Sequence, residues 1–176
     1  MAKMRTIIFC AIILAAFPTV VLGELVGIEI PRQGWRIYFE SPPLSKRQES
    51  STKGGYSFRA NSGRFNLSLF VEEPAGEGKT NKDCYNYYWP LGSRNPEIDK
   101  ETIEVRESER YVRVQYDIVS EFQGELIRGT HINYYFAYRD KWIDVHISII
   151  KPNQDDEKIF SAFDDSLNYG DIPAGS

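Results

Sequence analysis

Apolar and polar side chains alternate at period two through most of residues 25–71, the spacing of half-buried strands. Trp35, Ile37 and Phe39 alternate with Arg36, Tyr38 and Glu40 until Ser41-Pro42-Pro43 ends the run. Residues 44–50 suit an exposed edge strand. Lys53-Gly54-Gly55 then reads as a turn into Tyr56, Phe58 and Ala60. A second turn at Asn61-Ser62-Gly63 leads to Phe65, Leu67, Leu69 and Val71, and the polar loop 72–78 closes a β meander.

The period then changes. Thr80 is placed to cap a helix with Asp83 in its first turn, and Pro90 is expected to stop it. Cys84, Tyr87 and Tyr88 share one spacing on it, Tyr85 and Trp89 another, so this helix is expected to lie against the sheet. Strand alternation returns with a short segment around Ile103 and Val105, then Val112, Val114, Tyr116 and Ile118. A long strand over 126–138 turns at Arg139-Asp140-Lys141 into a second over 142–150. Its core face is Ile132, Tyr134, Phe136 and Tyr138 against Ile143, Val145, Ile147 and Ile149. After Pro152, Asn153 is expected to cap a helix striped by Ile159, Phe160, Phe163 and Leu167.

This order predicts one α+β domain over residues 24–169, an antiparallel sheet of about six to eight strands with helices packed on it, and a loose tail at 170–176. Trp35-Arg-Ile-Tyr-Phe-Glu-Ser-Pro-Pro43 near the start resembles the opening of PsbP-like domains. Trp142-Ile-Asp-Val-His-Ile-Ser-Ile-Ile150 followed by Phe160-Ser-Ala-Phe-Asp-Asp-Ser-Leu167 resembles their end. That superfamily also holds Ran-binding Mog-type proteins and chaperone-like domains of bacterial secretion systems. The resemblance implies a sandwich of antiparallel sheet and helices used for binding and assembly, and it carries over no functional residue.

The N-terminus changes the picture of where such a domain works. Met1 to Arg5 is cationic, residues 6–17 are apolar, and Val21-Leu22-Gly23 fits a cleavage site, the three-part order of a secretory signal peptide over residues 1–23. The mature chain is expected to be exported, periplasmic or extracellular, with no stable membrane span. The net charge of −4 becomes −6 once Lys3 and Arg5 leave, so no basic field invites nucleic acid. One of the two cysteines, Cys10, leaves as well. Cys84 is then expected either to be buried or to be open to a partner.

Candidate chemistry follows from the parity of the long hairpin. If Ile132 and Ile143 face the core, His131, Asn133, Tyr135, Asp144, His146 and Ser148 face the other way, with Asn133 opposite His146 and Tyr135 opposite Asp144. Arg113, Gln115 and Asp117 are expected to join that face. Convergent donors and acceptors there suit a polar ligand or peptide. A metal held by His131, Asp144 and His146 would lack a fourth ligand, so no metal or cofactor is assigned. The plain alternative is a solvated or helix-covered face whose polar groups satisfy one another. Tyr88 and Trp89 are further candidates, since Tyr85, Tyr87, Tyr88 and Trp89 cannot all point into one core. The sequence contains no P-loop, dinucleotide fingerprint, GxSxG or HExxH. The expected function is a non-enzymatic binding or accessory role toward a protein or envelope component. A hydrolase or metal-dependent enzyme on the His131/Asp144/His146 face is the alternative.

Overall fold

Each alternating segment pairs antiparallel with a neighbour, and most strands have one dry face. The computed structural model describes residues 23–173; residues 1–22 of the expected leader and the last three residues of the expected tail lie outside them. Among the described residues the order is β1 (Glu24–Ile30), β2 (Trp35–Ser41), β3 (Ser45–Ser51), β4 (Gly55–Ser62), β5 (Phe65–Glu72), α1 (Asn81–Gly92), β6 (Ile98–Glu107), β7 (Val112–Phe122), β8 (Glu125–Tyr138), β9 (Lys141–Ile150), α2 (Glu157–Ser166) and β10 (Asn168–Asp171). The α+β class is as expected, but there are ten strands in two sheets: β1-β2-β10 and β3-β4-β5-β9-β8-β7-β6. Residues 168–171, part of them expected to be tail, pair with β2 instead.

The small sheet and α2 cover one face of the large sheet. Val26, Ile28, Ile37 and Phe39 meet Leu69, Phe136, Val145 and Ile147 in the main core, with Phe160, Phe163 and Leu167 sealing it. The rings of Phe39 and Phe163 stack with centroids 4.7 Å apart. Arg139 and Asp140, at φ 49° and 56°, form the two-residue turn between β8 and β9. Positive φ at both positions matches the right-handed twist of the strands, and this fixes the hairpin register.

α1 begins where Thr80 predicts, in a capping box closed by Asp83. Pro90 does not end it: only Leu91 and Gly92 follow inside the helix, and Ser93 N–H still reaches the Trp89 carbonyl at 2.8 Å. α2 starts later than Asn153. The Asp156 carboxylate is engaged by Arg64 at 2.9 Å and by Asn153 N–H at 2.7 Å, so 153–156 is a turn and not a first helical turn. The outer strand β3 is wholly exposed and reads Ser-Lys-Arg-Gln-Glu-Ser-Ser, a charged edge that discourages pairing with another chain. No helix of the described residues is long and apolar enough to cross a membrane.

Candidate functional site

The second face of the large sheet carries the candidate residues, and the register explains how they meet. His131 lies opposite Ser148, Asn133 opposite His146 and Tyr135 opposite Asp144, as the two-residue turn requires. On β7 the expected parity is reversed. Val112, Val114 and Tyr116 share this face with Tyr135, Asn133 and His131, while Arg113, Gln115 and Asp117 point to the other side. The physical reason is α1. It lays an apolar cover over this end of the second face, so the dry row of β7 turns toward the helix and not toward the main core.

Beneath α1 a second core gathers Cys84, Ile98, Val114, Tyr116, Tyr135 and Trp142. Tyr135 is only 3% exposed and lies parallel to Tyr88, centroids 6.3 Å apart at 11°. Trp89 packs on Tyr116 at 5.2 Å, and Tyr88 donates its hydroxyl to Glu72 at 2.7 Å. Tyr88, Trp89 and Tyr135 therefore bind helix to sheet and do not form a free platform. Tyr87 is the exposed ring of the group, resting on Trp142.

The polar groups under the helix edge satisfy one another. Tyr116 donates to the Asn133 carbonyl oxygen at 3.0 Å, and the Asn133 amide donates to Asp144 at 2.8 Å. His131 Nδ1 and His146 Nε2 stand 3.0 Å apart in rings tilted by only 14°, so the imidazoles meet edge to edge and share one proton. Burial pushes the Asp144 carboxyl up to about 7, against the opposing pull of the Asn133 hydrogen bond. Burial drives His131 down to about 4 and His146 to about 3, so both rings are neutral at pH 7. Such a set can accept and donate hydrogen bonds, but among the described residues no hydroxyl or thiol is bonded to either imidazole to be activated. Among the described residues no three His, Cys, Asp or Glu side chains converge as a metal cage. Cys84 is fully buried, donates to the Ile143 carbonyl at 3.5 Å, and its thiol is pushed up to about 12 by burial, the state of an inert thiol.

α1 touches β5 at its last residue, where Tyr88 meets Glu72, and along the rest of β5, β4 and β3 the same face is open. A groove of about 300 Å³ is lined by Lys46, Gln48, Arg59, Asn66, Ser68 and His146, among others. His146 thus joins the sealed network to the open groove. The groove residues on β3–β5 were missed in the sequence because their alternation marks them only as outward-facing. Nothing in the spacing says that α1 reaches β8 and β7 but leaves these strands bare.

No known protein family matches the sequence, and no curated protein matches it. The chain is similar to a crystal structure of a protein from Bacteroides thetaiotaomicron VPI-5482, at 10% identity and a TM-score of 0.41. The likeness covers 80% of this chain and 46% of that protein, so the chain spans less than half of its length. A likeness of this size transfers no function.

Proposed function

We propose that the chain is an exported, non-enzymatic binding or accessory domain that recognises an envelope component or partner through the open half of its second sheet face. The observation that carries this reading is the division of that face. Half is sealed by α1 over the linked Tyr116, Asn133 and Asp144 side chains, and half presents amide, hydroxyl, imidazole and cationic groups to solvent around one groove. Binding sites of small proteins combine a rigid scaffold with a few convergent polar groups in a concavity, and a seven-stranded sheet supplies such a scaffold. The resemblance to PsbP-like domains supports the same role, and the leader-like N-terminus supports export. The enzyme alternative on His131, Asp144 and His146 draws no support from the geometry, because the two imidazoles are directed at each other and Asp144 at Asn133.

A photo-reactive benzophenone side chain in place of Asn66 tests this reading in the producing cell. Asn66 lies half-buried in the groove, whereas Glu29 is exposed on β1 of the small sheet. Ultraviolet light is expected to give a discrete adduct from position 66 and none from position 29. Equal labelling from both positions, or none from 66, would rule the groove out as the surface that meets a macromolecular partner.

A further inference from the structure

Resting on the reading that the open face binds, we infer that the groove takes an oxyanion, carboxylate or phosphate, carried on a hydroxyl-bearing frame such as an acidic sugar. The charge pattern is the first observation. Acidic side chains outnumber basic ones 25 to 21 in the whole chain, yet no carboxylate lines this groove and two cations do, Lys46 and Arg59. Neither of them joins any of the ion pairs formed among the described residues. Two unpaired cations bordering one concavity in an acid-rich chain set up a local positive field that favours an anion.

The backbone supplies the second observation. β3 and β4 slip register between Ser45 and Gln48: Ser45 pairs with Asn61 and Gln48 with Arg59. Lys46 sits in that irregularity at φ 47°, left-handed backbone that a lysine rarely adopts. Bulges of this kind bend a strand and re-aim a side chain, and here the residue they re-aim lines the groove. Arg59 is steadied in a different way, with its guanidinium 5.6 Å from the centroid of the Phe70 ring. A guanidinium fork held in this way matches a carboxylate or phosphate in two-pronged fashion, and the Lys46 ammonium adds a point charge.

The floor carries the rest of the argument. Gln48, Asn66, Ser68 and the neutral ring of His146 offer donors and acceptors without a second charge, the groups that hydroxyls need. The volume, about 300 Å³, lies at the small end of ligand pockets and suits a sugar-sized unit. An oxyanion between Lys46 and Arg59 would place the rest of such a unit over Ser68 and His146.

Nitrogen-15 NMR titration of the purified protein tests this with four probes: galacturonate, galactose, acetate and inorganic phosphate. Galacturonate is expected to shift the amides of Lys46, Arg59 and Ser68, with acetate and phosphate acting more weakly at the same sites and galactose weakest of all. In the Lys46→Ala/Arg59→Ala variant, which alters only exposed side chains, galacturonate affinity is expected to fall roughly tenfold or more. Phosphate acting more strongly than galacturonate would assign the site to a phosphorylated ligand within the same chemistry. Galactose acting as strongly as galacturonate, no groove shifts from any anion, or an unchanged affinity in the double variant would each overturn the inference. The two readings fail separately. An Asn66 adduct that survives in full in the double variant leaves the binding face standing without its anion, whereas groove shifts without any adduct remove the macromolecular partner alone.

Discussion

Ile147→Asp is expected to abolish folding. Ile147 is fully buried in β9, between Leu67 of β5 and Ile132 of β8, at the centre of the main core. The substitution loses the transfer of a whole isoleucine side chain, about 2–3 kcal/mol. It also forces a carboxylate into a site without a partner, or a proton onto that carboxylate, for several kcal/mol more. Small domains are stable by only about 5–15 kcal/mol, so little folded protein should remain. Far-UV circular dichroism and soluble yield read the outcome. The control is Ser68→Asp, one strand away on the open face, which should melt within a few degrees of the wild type. Ser148, expected from parity to face away from the core, would not serve as this control: it is 4% exposed beside His131, so an aspartate there would also be buried.

Asp164→Ala carries the next largest effect. Asp164 on α2 accepts from Arg113 Nε at 2.9 Å and from the Tyr134 hydroxyl, and Arg113 is itself 6% exposed. This ion pair ties α2 to the face of β7 that was expected to be free. Removing the carboxylate strands a buried guanidinium that already has one unpartnered nitrogen, Arg113 Nη1. Breaking one side of a buried pair costs about 3–5 kcal/mol, more than the pair contributes over an apolar replacement. Urea unfolding should therefore show a large loss for Asp164→Ala and a smaller one when Arg113→Met is added. A loss below about 1 kcal/mol in the single variant would mean that Arg113 escapes to solvent and that α2 is held by its phenylalanines alone.

The strands were legible because a residue's parity is written in its neighbours: the Arg139-Asp140 turn sets the register, and register places His146 opposite Asn133. What alternation cannot say is which face of a strand looks at which layer. β7 shows this directly, since Val114 and Arg113 are both buried, one under α1 and one under α2. A sheet covered on both faces gives two dry rows, and the single-core reading assigned them to the wrong sides. The expected short strand at Ile103 and Val105 extends over Ile98–Glu107 with an irregular stretch after Asp99, which local pattern could not show because most of its side chains are exposed. The chemistry of Asp144, His131 and His146 was visible as residue types. Their mutual satisfaction was not, because it depends on side-chain directions within a few tenths of an ångström. The groove at Lys46 and Arg59 depends on where α1 ends in space, a tertiary fact with no local signature.

Thiol labelling tests the division of the second face most directly. Cys84 on α1 marks the sealed half, and a cysteine introduced by Ser68→Cys marks the open half. With iodoacetamide under native conditions and peptide-level mass spectrometry, the position-68 thiol should modify at the rate of an exposed cysteine, and Cys84 should modify only after denaturant is added. Rapid native labelling of Cys84, or protection of position 68, would contradict the account.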